Sequence, residues 1–382
     1  MHRHIKERGR KWLRLAVLLA IVILGGCFLY SYNQVDKPQL VNTQGRTFEK
    51  ATVTDLLQDN LQEQGIRVGD QIVSLRLDSG AAAGQTITAN CPNGLLFGTV
   101  CQPGMKVIVI SSMVGQLDVH TVYNVDRMMP ILLFVGAFLL LLCIVGGPKG
   151  IRSAVALIFT FICFIFLFFP MILRGLPPIL AAVITSAIVL AGSIYIIHGN
   201  TVKALSAVLA TFGGIVAAGL AAVLFGQAAS LSGYNVANIE SLLFVGQNTL
   251  IDVGQLLFAG ILFSSLGAIM DIAMDVCSAA SELCYRNPDM TAREVFAGAM
   301  NVGRDVMGTM ATTLILAFFG GSLGIWVMDY VYDLPWLQLI NSNSIGIEIM
   351  QGLSGSFGVI LTVPIAAALS AWRLLERVVE RK

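Results

Sequence analysis

Asp271 and Asp275 stand four residues apart where a long apolar run ends, and Glu282 follows eleven residues after Asp271. Residues at these spacings lie close to one face of a helix. An acidic stripe therefore leaves an apolar segment, and a carboxylate held in a low-dielectric setting can change its charge state on demand. Ionisable side chains at the edge of hydrocarbon are costly, so they call for water, a partner cation or a moving proton. Proton or cation exchange is the chemistry these residue types suit; the plain alternative is a helix end that has reached water. Both stay open for Asp271, which follows eighteen uncharged residues, while hydration is the simpler account of Asp275 and Glu282. Downstream, Arg304 and Asp305 sit between Gly303 and Gly308. Arg304 can pair with Asp271 or Asp275 as a charge relay, or form with Asp305 a surface cluster of little energetic weight. With Thr309 and Thr313 as a polar wall, the candidate coupling residues are Asp271, Asp275, Arg304, Asp305, Thr309 and Thr313.

Placing these residues is a task for membrane helices. Of 382 residues 56% are apolar and 12% charged, against about 25% charged in soluble domains. Runs free of Asp, Glu, Lys and Arg predict about eight spans, near 15–33, 128–147, 153–173, 177–197, 204–226, 252–271, 307–328 and 346–371, each long enough for roughly 30 Å of hydrocarbon. The expected fold class is an α-helical polytopic membrane protein with a small extracytoplasmic all-β domain. Its expected parts are a basic tail and first anchor (1–33), a β-rich domain (34–127) and a seven-span membrane domain (128–382). Basic residues concentrate on one side if both termini are cytoplasmic, which places 34–127 outside. The first segment also loosely resembles a secretory signal, with a lipobox-like Leu24-Gly25-Gly26-Cys27, but its apolar run continues through Tyr30 and suits an uncleaved anchor.

Thr291 and Glu294 form a capping box after the turn signal Asn287-Pro288-Asp289, predicting an amphipathic cytoplasmic connector over about 290–306. Five alternating segments within 34–127 predict a small barrel or sandwich. Cys91 and Cys101 flank a loop there, and a disulfide or two separate thiols fit equally. Gly320-Gly321-Ser322-Leu323-Gly324 matches G-x-S-x-G, yet it falls inside an expected span without a histidine partner, so packing glycines are expected rather than a nucleophile. Metal-ligand spacing, phosphate loops and a basic nucleic-acid stripe do not occur. The expectation is a non-enzyme without cofactor or metal, whose partners are the bilayer and either a second membrane subunit or a second copy.

The stretch GAIMDIAMDVCSAASEL, followed by NPDMTAREVFAGAMNVGRDVMGTMATTLILAFFGG, resembles the signature of the YibE/F family of bacterial membrane proteins. That resemblance covers about residues 240–372 closely; it implies a bacterial cytoplasmic-membrane location and no established activity. An anchor, an external domain, a span ending Met270-Asp271-Ile272-Ala273 and a later Thr312-Thr313-Leu314 are also similar to the SecD and SecF translocation subunits. There an Asp on the corresponding span is implicated in proton coupling, which the resemblance would carry to Asp271. The extra hairpin of spans two and three and the short external domain depart from that pattern. The resulting expectation is an ion-gradient-coupled transporter or translocation accessory, set against a non-transporting scaffold or sensor acting through its β-domain.

Overall fold

Alternation decides the soluble part. In Gln71–Leu77 every second residue, Gln71, Val73, Leu75 and Leu77, is buried, because successive strand side chains point to opposite faces. The computed structural model describes residues 25–379 apart from 36, 39, 41–44, 62–67, 81, 93–98, 115–116, 200 and 237–238. Its strands are β1 (Arg46–Gln58), β2 (Gln71–Leu77), β3 (Thr86–Cys91), β4 (Lys106–Val114) and β5 (Leu117–Val125), matching the five expected segments. They close into a barrel in the order β1-β2-β3-β5-β4, with β3 and β5 parallel and the other pairs antiparallel. Register shifts between Val53 and Asp55 and between Leu56 and Gln58 bend β1, as closure requires. Ala51, Val53, Val73, Leu75, Ala89, Val107, Val109 and Val122 fill the interior.

The chain divides into two compact units, Gln39–Ile144 and Met1–Pro38 with Val145–Lys382. Residues 25–32 form a helix, α1; residues 15–24 of the expected 15–33 span lie outside the described residues. The Asn33 amide donates to the Phe166 carbonyl at 2.8 Å, and Arg174 donates to the Tyr32 carbonyl at 2.9 Å while stacking over its ring. Helix α2 (Met128–Cys163) is interrupted at Gly147, with φ 53 and ψ −136, just before Pro148. Positive φ suits glycine, and proline lacks the N–H that would continue the ladder. The expected spans 128–147 and 153–173 therefore lie on either side of that break. A π-helical turn at Phe164–Phe168 leads to α3 (Phe169–Leu173).

Then come α4 (Pro178–His198), α5 (Val202–Ala228), α6 (Ile239–Asn248), α7 (Val253–Arg286), α8 (Ala292–Gly321), α9 (Leu323–Val331), α10 (Trp336–Ile340) and α11 (Asn343–Val379). Among the described residues six helical stretches are long and apolar enough to cross a membrane, counting Met128–Leu173 as one. Helices α5, α7, α8 and α11 pack together. Their crossing is built on small residues: a Cβ on Gly358 would stand 2.8 Å from the Gly214 carbonyl oxygen and 2.6 Å from Ile269. Such close approach is how helices associate where lipid removes the hydrophobic drive.

Helix α7 runs past Asp271 to Arg286 and so carries Asp271, Asp275 and Glu282, as their helical spacing predicts. Two expectations change. No separate connector exists at 290–306; the capping box is present, with the Thr291 N–H donating to Glu294 at 2.7 Å, but it starts one continuous helix that also forms the next long apolar stretch. The expected span 307–328 ends early, at Gly321, and turns at Ser322 into the short α9.

Candidate functional site

The side of α7 left uncovered by other helices is made of Gly260, Ser264, Gly267, Asp271, Asp275 and Glu282 before its last turn. These positions recur at steps of three, four or, from Asp275 to Glu282, seven residues and so form one stripe. A Cβ at Gly260 or Gly267 would meet nothing within 4 Å. The contrast with α5 is in residue type: before its last turn, its uncovered positions are Leu205, Leu209, Phe212, Val216, Leu220 and Leu224. The buried side of α7, including Leu262, Ile269, Ile272 and Val276, supplies the apolar core.

Helix α8 runs antiparallel beside it. A Cβ on Gly303 would lie 3.1 Å from Val276, and one on Gly298 would lie 2.6 Å from Leu283. That register puts Asp271 at the height of Thr309 and Asp275 at the height of Arg304 and Asp305. The six expected coupling residues thus occupy neighbouring levels of two packed helices, all with exposed side chains. They are not drawn into a closed centre. The described ion pairs are Lys50–Asp126, Arg76–Asp78 and Glu282–Arg286, so neither alternative for Arg304, a pair with Asp271 or Asp275 or one with Asp305, is formed among the described residues. The acids and Arg304 have exposed side chains that point away from the bundle core. The hydroxyls of Thr309, Thr312 and Thr313 donate to carbonyls of their own helix, those of Val306, Gly308 and Thr309.

A second polar centre escaped the sequence. Ser322, at the C-terminal cap of α8, donates its hydroxyl to Oε1 of Glu348 on α11. Oε2 of Glu348, Nε1 of Trp326 and Oδ2 of Asp329 are buried and have no hydrogen-bond partner among the described residues. Trp326, Phe318, Phe319, Glu348 and Gly352 help line a cavity of about 180 Å³. Phe319 and Trp326 also line a neighbouring one of about 430 Å³ with Asp329 and Asp333. No Lys, Arg or His occurs between residues 306 and 372. The Gly320-Gly321 pair was a readable helix-end signal, but a contact across twenty-six residues was not. A larger cavity of about 670 Å³, bordered by Gln227 and Gln255, carries no titratable side chain.

In the barrel, Cys91 and Cys101 are free thiols with their sulfurs 3.3 Å apart, and both are buried. Ser111 Oγ and His120 Nδ1 lie 2.8 Å apart, while Glu49 contacts Ser111 rather than the imidazole. That order does not build the acid–base–nucleophile relay of a hydrolase, in which the carboxylate holds the imidazole. Among the described residues no group of three His, Cys, Asp or Glu is placed to hold a metal.

In comparison with known proteins, the family described as YibE/F-like protein matches residues 134–376. No curated protein and no solved structure matches the chain.

Proposed function

The chain belongs to the YibE/F-like family, and on that footing we propose that it is an ion-gradient-coupled transporter or translocation accessory of a bacterial cytoplasmic membrane. Asp271 is its coupling carboxylate. Both termini are cytoplasmic, residues 34–127 face outward, and the bilayer is crossed about eight times. One observation carries the proposal: the uncovered stripe of α7 is glycine, serine and carboxylate along a helix of spanning length. A helix side meeting acyl chains carries apolar bulk, as α5 does. A stripe of small and acidic residues suits water and a moving ion, and intramembrane carboxylates usually mark such paths. Thr309 and Thr313 at the adjoining levels of α8 extend the polar surface.

The similarity to SecD and SecF at Asp271, Ala273 and Thr312-Thr313-Leu314 belongs to this proposal, as do a second membrane subunit or a second copy as partner. The mechanism involves no catalytic step, cofactor or nucleic acid. In cells dependent on the gene, Asp271→Asn is expected to abolish the wild-type phenotype at unchanged protein abundance, with Asp271→Glu retaining part of it. Full tolerance of asparagine refutes coupling at this position.

A second reading, a scaffold or sensor acting through the barrel, is favoured by the edge-to-face Phe48–Tyr123 pair, centroids 5.9 Å apart, with Phe48 58% exposed. Contiguous exposed apolar surface, rather than single scattered side chains, marks docking sites. In that case deleting residues 40–120 destroys function and Asp271→Asn is silent.

A further inference from the structure

We propose that Cys91 and Cys101 form a redox site that closes to an intrachain disulfide by exchange with an external disulfide. The two sulfurs lie 3.3 Å apart. Cys91 ends β3, where its backbone pairs with Gln71 of β2. The Cys101 N–H donates at 2.8 Å to the side-chain carbonyl of that same Gln71. The Gln71 amide in turn donates to Asp59 at 2.9 Å, and the Gln71 side chain is buried. One buried glutamine thus sets the position of both cysteines, and both are 1% exposed. The other five cysteines lie in helices, at 27, 143, 163, 277 and 284.

The pair is asymmetric as well as close. The Cys101 thiol donates toward Cys91, which brings Cys91 down to about 7, while the same contact and burial push Cys101 well above the thiol range. Cys91 is therefore the attacking sulfur and Cys101 the resolving one. The Cys91 thiolate attacks one sulfur of the external disulfide, forming a mixed disulfide and releasing the other half as a thiolate. Cys101 then gives up its proton and attacks Cys91 Sγ, which forms the Cys91–Cys101 bond and expels the second half. Two electrons pass to the external disulfide, whose two sulfurs take up the two protons.

The test uses the purified full-length chain, reduced and then equilibrated with oxidised glutathione. Reactive thiols are counted by maleimide mass shift after denaturation, and peptides are mapped by mass spectrometry. The expected result is loss of two reactive thiols without added glutathione mass, recovery of both with dithiothreitol, and one linked peptide containing both cysteines. Cys91→Ser and Cys101→Ser should each keep the remaining cysteine as a glutathione adduct or a free thiol; Cys101→Ala replaces the serine variant if that one fails to fold. Glutathione added separately to each cysteine in the wild type overturns the proposal, as does full labelling after oxidation or a linked peptide that persists in either variant.

Discussion

Single side chains separate the functional candidates more sharply than spacing does. Asp271 and Asp275 keep their helical face but find no cation among the described residues, whereas Glu348 meets Ser322 at the end of another helix. Ser322→Ala should leave a further carboxylate oxygen of Glu348 without its partner, at about 1–3 kcal/mol, seen as a lowered unfolding midpoint of the purified protein. In the barrel, the lowered Cys91 thiol sets a pH dependence. The thiolate forms as pH rises through about 7, so the attack of Cys91 on the external disulfide should accelerate across that value and level off above it, where an ordinary thiol near 9.0 would still be gaining. Stopped samples quantified for free thiol check the profile. The Thr291–Glu294 box was legible because both hydrogen bonds are local. The Ser322–Glu348 and Cys101–Gln71 contacts were not, since they depend on where distant elements pack.

Elements follow from pattern where pattern is continuous and fail where it is not. All five strands could be read because alternation and turn residues both survive in the sequence, as in Gln71–Leu77. Apolar runs likewise located the helices of spanning length, but hydropathy does not report where a helix stops. Asp271, Asp275 and Glu282 continue α7 for most of four further turns, and the expected connector merges into α8. Conversely, Gly320 and Gly321 mark an end that an apolar run conceals. Two changes test these element-level causes. Removing the cap by Thr291→Ala should cost about 1 kcal/mol, measured as a shift in the unfolding midpoint. Gly358→Leu drives a side chain into the Gly214 backbone and should destabilise the α5–α11 crossing by roughly 1–3 kcal/mol or more, read in the same assay. Leu at Gly267, on the open side of α7, should leave that midpoint nearly unchanged.

At the scale of the molecule, a small closed barrel and a helical unit share one chain, and the family match lies over the helical part and the end of the barrel unit. Composition and charge-free runs made the long apolar helices legible, while the uncovered α7 stripe needed the packing of four helices before its residues could be told from core. Its position gives the proposal its central claim: the Gly260, Ser264, Gly267 and Asp271 side of α7 faces water rather than lipid. The direct measurement is labelling of Gly267→Cys, in the full-length protein in intact membranes, with a water-soluble maleimide, against the background of the native cysteines. Val216→Cys on the apolar side of α5 serves as the comparison. The account predicts ready labelling at 267 and little at 216; a cysteine at 267 as inert as the one at 216 would contradict it.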